Sequence, residues 1–230
     1  MGKSTPDGEK PPYIQTQRQY FDERVDFFRA PVPAAIQART RRIVESAGLR
    51  EKSRVLDVGT GVGVLVAHFL EFGVSQENIV GLDLSQEMLR GAKSRFPDVF
   101  FCQSDIADVG LPLPKEFPAN IECFDVVFFN ACFGNMWNQQ EAVMAAVRLL
   151  DAEGLIVISH PLGARFVDSL RRNEPHIVPH QLPEREKLEA LCSESNLAVV
   201  SADIQDDFYL VILRKKAEWL ETANGTAHNE

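Results

Sequence analysis

The stretch Arg54-Val55-Leu56-Asp57-Val58-Gly59-Thr60-Gly61-Val62-Gly63-Val64-Leu65 constrains this chain more than any other. Its apolar opening, with a carboxylate near the end, reads as a buried parallel strand. Three glycines spaced by single residues then lead into an apolar, helix-compatible run over 64–70. Glycine lets such a turn tighten and brings bare backbone N–H groups to a helix N-terminus, a place suited to a nucleotide-like ligand. The dinucleotide fingerprint G-x-G-x-x-G/A does not fit. Counted from Gly59 its last position is Val64, counted from Gly61 it is Val66, and neither is small.

A second strand of the same design follows, Asn78-Ile79-Val80-Gly81-Leu82-Asp83-Leu84-Ser85. Asp83 stands 20 residues after Gly63, the separation at which an acid at the tip of the next strand takes ribose hydroxyls. Ser85 is placed to cap the following helix, with Glu87 in its first turn, although Met88 at the third position leaves only half a capping box. The pattern Asp57-x-Gly59-x-Gly61-x-Gly63 resembles motif I of the class I S-adenosylmethionine-dependent methyltransferases. Gly81-Leu82-Asp83-Leu84-Ser85-x-x-Met88-Leu89 is similar to motif II of the small-molecule branch that includes ubiquinone and menaquinone biosynthesis enzymes.

Taken in order, residues 1–12 are polar and rich in Pro and Gly and read as a disordered leader. A helix is expected over 15–29 and a second over 33–47. Alternation then sets in: strand 54–58, helix 63–72, strand 78–82, helix 85–95, strand 98–102, a proline-rich connection, strand 124–129, helix 138–150 and strand 154–159. Strands separated by helices pair in parallel through right-handed crossovers. A helix over 183–195 leads into strands 197–201 and 208–213, and the few residues between these two allow only an antiparallel hairpin. The expected fold is therefore α/β, a doubly wound, mostly parallel seven-stranded sheet with a C-terminal antiparallel hairpin strand, the Rossmann-like arrangement that the resemblance implies. Residues 13–48 would cap the cofactor pocket, 49–215 form the methyltransferase domain and 216–230 a flexible tail.

Bulk properties narrow the partners. A chain of 230 residues with 24 basic and 33 acidic side chains, net −9, is large enough for one core and argues against a nucleic-acid surface. The basic cluster Arg39, Arg41 and Arg42 reads as the solvated face of a helix. Cys102, Cys123, Cys132 and Cys192 form no C-x-x-C pair and no zinc-like spacing, so no metal is expected. No apolar run approaches the roughly 18 residues of a membrane span. A cytoplasmic location follows as the default, with an organelle after transit-peptide removal still open.

The resemblance assigns roles by position. Gly59, Thr60, Gly61 and Gly63 would let backbone approach the methionine portion of S-adenosylmethionine, which leaves as S-adenosylhomocysteine. Asp57 would hold the loop or the ligand's amino group, Asp83 the ribose, and Asp105 in Ser104-Asp105-Ile106 the adenine amino group; Leu84, Met88 and Ile106 would pack on the base. Asn130, at the end of the fourth strand, would sit near the transferred methyl. Tyr20, Phe133, Trp137 and His180 are the candidate contacts for a small-molecule acceptor. His160, at the end of the fifth strand, would orient or deprotonate it, or else simply bond to loop backbone. His176 and His180 lie in a loop that could fold over the same crevice. Two other functions fit the same residues: a catalytically silent S-adenosylmethionine-binding partner, and an NAD-dependent dehydrogenase. Oligomeric state is not readable.

Overall fold

In the computed structural model residues 9–216 are described; the rest of the expected leader and tail, 1–8 and 217–230, lies outside them. Residues 10–12 are not leader but the first turn of α1 (Lys10–Asp22), where Pro11 and Pro12 lack only N–H groups that have no partner in a first turn. The expected single helix over 15–29 is two, because the chain bends at Glu23 and Arg24 before α2 (Val25–Arg29). Then comes α3 (Ala34–Glu45), started by Pro33.

Five strands and three helices follow: β1 (Val55–Val58), α4 (Val64–Glu71), β2 (Ile79–Asp83), α5 (Gln86–Arg95), β3 (Phe100–Gln103), β4 (Phe124–Asn130), α6 (Gln139–Leu149) and β5 (Leu150–His160). β5 begins at Leu150 rather than near 154, with a register irregularity opposite Phe124 and Val126. Next stands a helix with no counterpart in the sequence reading, α7 (Gly163–Asn173), and then α8 (Arg185–Glu194), β6 (Leu197–Gln205) and β7 (Phe208–Lys215). The sheet order is β3-β2-β1-β4-β5-β7-β6. The first five strands pair in parallel, and β7 enters antiparallel to both β5 and β6. The seven-stranded mixed sheet with its closing hairpin is the expected one.

Both faces of the sheet are covered, which is why its central strands read as unbroken apolar runs. Alternate residues serve opposite cores: Leu56, Val127 and Phe129 face one, Val55, Val126 and Phe128 the other. α3 is tied across the outside of the hairpin, since Arg39 pairs with Asp207 and Arg42 with Asp203, while Arg41 pairs with Glu71 on α4. These exposed pairs orient the helix more than they stabilise it. All four cysteines are free thiols.

Phe128 is fully buried, its ring 5.0 Å from that of Phe69 on α4. Phe128→Ala is expected to lower unfolding free energy by about 3–5 kcal/mol in urea titrations without changing the α/β circular dichroism. A loss below about 1 kcal/mol would show that this helix does not pack on the sheet as described.

Candidate active site

The carboxyl ends of β1 to β4 meet beneath α1–α3, and between them lies a cavity of about 270 Å³. Its floor is the glycine turn after β1. Gly59, Gly61 and Gly63 all have positive φ, 67°, 54° and 77°. At Gly59 a Cβ would stand 2.7 Å from Cys132 Cβ, so here glycine answers both to backbone conformation and to a close approach. Thr60 N donates to Leu82 O at 2.9 Å, fastening the turn to β2. Thr60 Oγ1 donates to Asp57 Oδ2 at 2.7 Å.

The acids are arranged around this turn. Asp57 is 2% exposed, and burial raises its carboxyl to about 7, with the charge of Asp83 adding to the rise and the Thr60 hydroxyl opposing it. Asp83 accepts from Gly61 N through one oxygen and from Ser85 N through the other, both at 2.8 Å. Its depth raises its carboxyl to about 6, against those amide donors. Each Asp83 oxygen retains a lone pair for a further donor. Ser85 caps α5 as expected, accepting from Met88 N at 3.1 Å. Asp105 caps a short 3-10 turn through Ala107 N at 3.0 Å and lies 3.3 Å from Lys10 Nζ. Asn130 Oδ1 accepts from Ser159 Oγ at 3.0 Å, leaving its amide N–H groups uncommitted among the described residues.

Of the residues singled out in the sequence, Asp57, Gly59, Thr60, Gly61, Asp83, Leu84, Met88, Ser104, Asp105, Ile106, Asn130 and Trp137 line this cavity. Others are not brought to it. Gly63 turns away from it, its missing Cβ being the space that Phe96 fills. Tyr20 lies under the Arg24 guanidinium, 3.8 Å from the ring centre. Phe133 is wholly buried in the core against Phe129. His180 packs outside, Nε2 3.3 Å from Trp137 O. His160 is also elsewhere: it is 6% exposed, its Nδ1 accepts from Leu162 N at 3.1 Å, and its ring lies against Phe166. Burial lowers its pKa to about 4, so the ring is neutral, with its basic nitrogen already engaged by backbone. Among the described residues no group of three or more His, Cys, Asp or Glu could hold a metal ion.

The sequence led to the expectation of a cap over 13–48 but not to the residues that line the cavity from it. Ile14, Gln17 and Phe21 on α1, Phe28 on α2, and Ile36 and Thr40 on α3 line the cavity from above. Phe21 and Phe28 belong to an apolar stripe that was visible, but periodicity alone does not say which cavity a stripe covers. Asn135 and Met136, beyond β4, complete the lining. α1 is anchored at both ends: Lys10 to Asp105 and Asp108, and Asp22, which accepts from Ser85 Oγ at 2.5 Å and Glu87 N at 3.1 Å.

A family model described as a methyltransferase domain matches residues 49–225. Among curated proteins, the chain is 26% identical over 161 residues to the ubiquinone/menaquinone biosynthesis C-methyltransferase of Vibrio campbellii, covering 67% of this chain and 59% of the relative. It is 33% identical over 112 residues to the dTDP-3-amino-3,4,6-trideoxy-alpha-D-glucopyranose N,N-dimethyltransferase of Streptomyces venezuelae, 47% of this chain and 42% of that one. The chain thus spans about half the length of the curated relatives it matches. Similar solved structures include 1,6-didemethyltoxoflavin-N1-methyltransferase from Burkholderia thailandensis, with 1,6-didemethyltoxoflavin and S-adenosylhomocysteine bound (TM-score 0.66, 17% identity, 92% of each chain). The magnesium protoporphyrin IX methyltransferase of Synechocystis, with S-adenosylmethionine bound, gives TM-score 0.64 at 13% identity, over 92% of this chain and 100% of that one.

Two outcomes test the site's geometry. Gly61→Ala, where φ is positive but nothing lies within 4 Å, is expected to cost about 1–2 kcal/mol, and Gly59→Ala clearly more because of Cys132. Equal losses in urea titrations would contradict the close approach. Secondly, Asp57 has a folded-state pKa of about 7 against an ordinary 3.8, so between those values the native state keeps a proton that the unfolded chain releases, and stability falls as pH rises. His160, lowered to about 4 from 6.5, gives the opposite slope below pH 6.5, since there the unfolded chain holds the extra proton. The two are separated by comparison at each pH: Asp57→Asn is expected to gain stability relative to the parent from about pH 5 to about pH 7.5. A difference independent of pH would remove the assignment to Asp57.

Proposed function

Because the chain belongs to the methyltransferase-domain family, we propose that its cavity binds S-adenosylmethionine and that the protein transfers the methyl group to a small-molecule acceptor. The observation that carries this reading is the junction of the glycine turn with Asp83. A carboxylate already held in place by Gly61 N and Ser85 N keeps acceptor capacity toward the cavity, which suits a vicinal diol such as ribose. Asp105 follows β3, the strand next to that of Asp83, and is the partner for the adenine amino group, with Leu84, Met88 and Ile106 as apolar contact for the base. Gly59, Thr60 and Gly61 form the wall for the methionine portion, with Asn130 next to the methyl.

Bound S-adenosylmethionine supplies a methyl carbon already activated by its sulfonium, so the protein's task is alignment and exclusion of water. The roof of α1–α3 does the second. Roofed in this way, the cavity suits a small molecule better than a macromolecular surface, and relatives named for quinone and toxoflavin methylation support the same scale of acceptor. His160 has no part in this reading. Deprotonation, where an acceptor needs it, falls to the acceptor's own acidity.

Isothermal calorimetry tests the proposal. The purified protein is expected to bind S-adenosylmethionine and S-adenosylhomocysteine, and Asp83→Ala to weaken both by about 10–100-fold, the loss of hydrogen bonds to a charged group. No uptake by the parent, or unchanged affinity in Asp83→Ala, would overturn it.

A further inference from the structure

Two side-chain amides in the cavity converge on a single backbone carbonyl. Gln17 Nε2 donates to Ile177 O at 2.8 Å, and Asn135 Nδ2 donates to the same oxygen at 2.9 Å. A carbonyl can only accept, so each amide must turn its nitrogen to Ile177, and each amide oxygen is set on the other side. Gln17 is 1% exposed, yet lines the cavity, as does Asn135. Among the described residues neither Gln17 Oε1 nor Asn135 Oδ1 accepts a hydrogen bond, and neither oxygen is fully buried. Both amides are held stiffly. The Tyr13 hydroxyl donates to Asn135 O at 2.7 Å, and its ring lies 5.3 Å from that of Trp137.

The cavity around them is largely apolar, and its nearest charge is Asp105, which Tyr13 feels and Lys10 pairs with from α1. Its lining includes Ile14, Phe21, Phe28, Met136 and Trp137, and among the described residues no Lys, Arg or His lines it and its carboxylates are Asp57, Asp83 and Asp105. An anionic acceptor would be desolvated with no counter-charge and repelled by those acids. A neutral acceptor without a donor would take these two amide oxygens out of water and leave them unpaired.

We infer that Gln17 and Asn135 select the methyl acceptor: a neutral, flat, largely apolar molecule bearing an O–H or N–H that donates to their amide oxygens. This rests on the function proposed above. The pair acts on specificity, not on the transfer itself, and the signature is discrimination between molecules that differ only in that hydrogen.

The test uses the full chain saturated with S-adenosylhomocysteine and three probes, 2-naphthol, 2-methoxynaphthalene and 2-naphthoate, with dissociation constants read by ligand-observed NMR. The parent is expected to bind 2-naphthol about tenfold tighter than the more apolar 2-methoxynaphthalene, and 2-naphthoate weakest of the three. In Gln17→Met and in Asn135→Leu the preference for 2-naphthol should fall to about threefold or less, while affinity for S-adenosylhomocysteine stays at the parent's value. In either variant Ile177 O keeps one donor, so folding is retained. Equal affinity of the parent for the first two probes, a preference for 2-naphthoate, no binding of any probe, or an undiminished preference in both variants would each overturn the inference. If one variant fails to fold, the parent's ranking and the other variant decide. S-adenosylhomocysteine uptake separates the two levels: with uptake and no discrimination only this inference falls, whereas without uptake the proposed function falls and takes it along.

Discussion

The Asp83 carboxylate joins what would otherwise be three separate pieces of chain. One oxygen fixes the glycine turn after β1 through Gly61 N, and the other fixes the start of α5 through Ser85 N. Ser85 passes the connection on, since its hydroxyl donates to Asp22 at the end of α1. Floor, wall and roof of the cavity therefore share one registration point. The cost is a carboxyl group in a poor solvent, visible as its raised pKa, and the backbone amides offset part of it. An amide in place of that carboxylate would keep one acceptor oxygen at most and could hold only one of the two loops.

Much of this was legible in the sequence because it depends on local rules. Glycines at positive φ, an acid at each strand tip and a serine cap leave marks within a few residues of where they act, so the turn at 59–63 and the strand ending at Asp83 could be placed from residue types alone. The absence of a crossover between 201 and 208 announced the antiparallel closure of the sheet for an equally local reason: too few residues lie there to turn back through a helix.

What escaped depends on contacts across the chain. Gln17 reads as one polar residue in a polar helix; only the meeting of α1 with the segment around Ile177, 160 residues later, gives it a partner. α7 was hidden because its Pro-Leu-Gly approach resembles a loop, although Phe166, Val167 and Leu170 carry helical spacing. His160 shows the converse. Its position at a strand end suggested chemistry, but β5 lies between β4 and β7, and the residue closes against Phe166 and its own following turn rather than against the cavity. At β5 the strand end still borders the cavity through Pro161, but the His160 side chain itself packs on Phe166 instead.

The chemistry of the site follows from an imbalance. Asp57 and Asp83 stand near each other with no basic side chain lining the cavity among the described residues, and burial raises the pKa of each. A core built for stability alone would place an apolar residue at such a position or supply a cation, because a buried carboxylate without a partner is costly. Keeping two acids unpaired makes sense where the missing partner is a ligand that brings its own positive charge and its own hydroxyl donors. The same imbalance bears on the acceptor proposed above. In the proposed reading, an acceptor beside these carboxylates enters without charge and is held by apolar walls and by oriented dipoles such as the two amides fixed on Ile177.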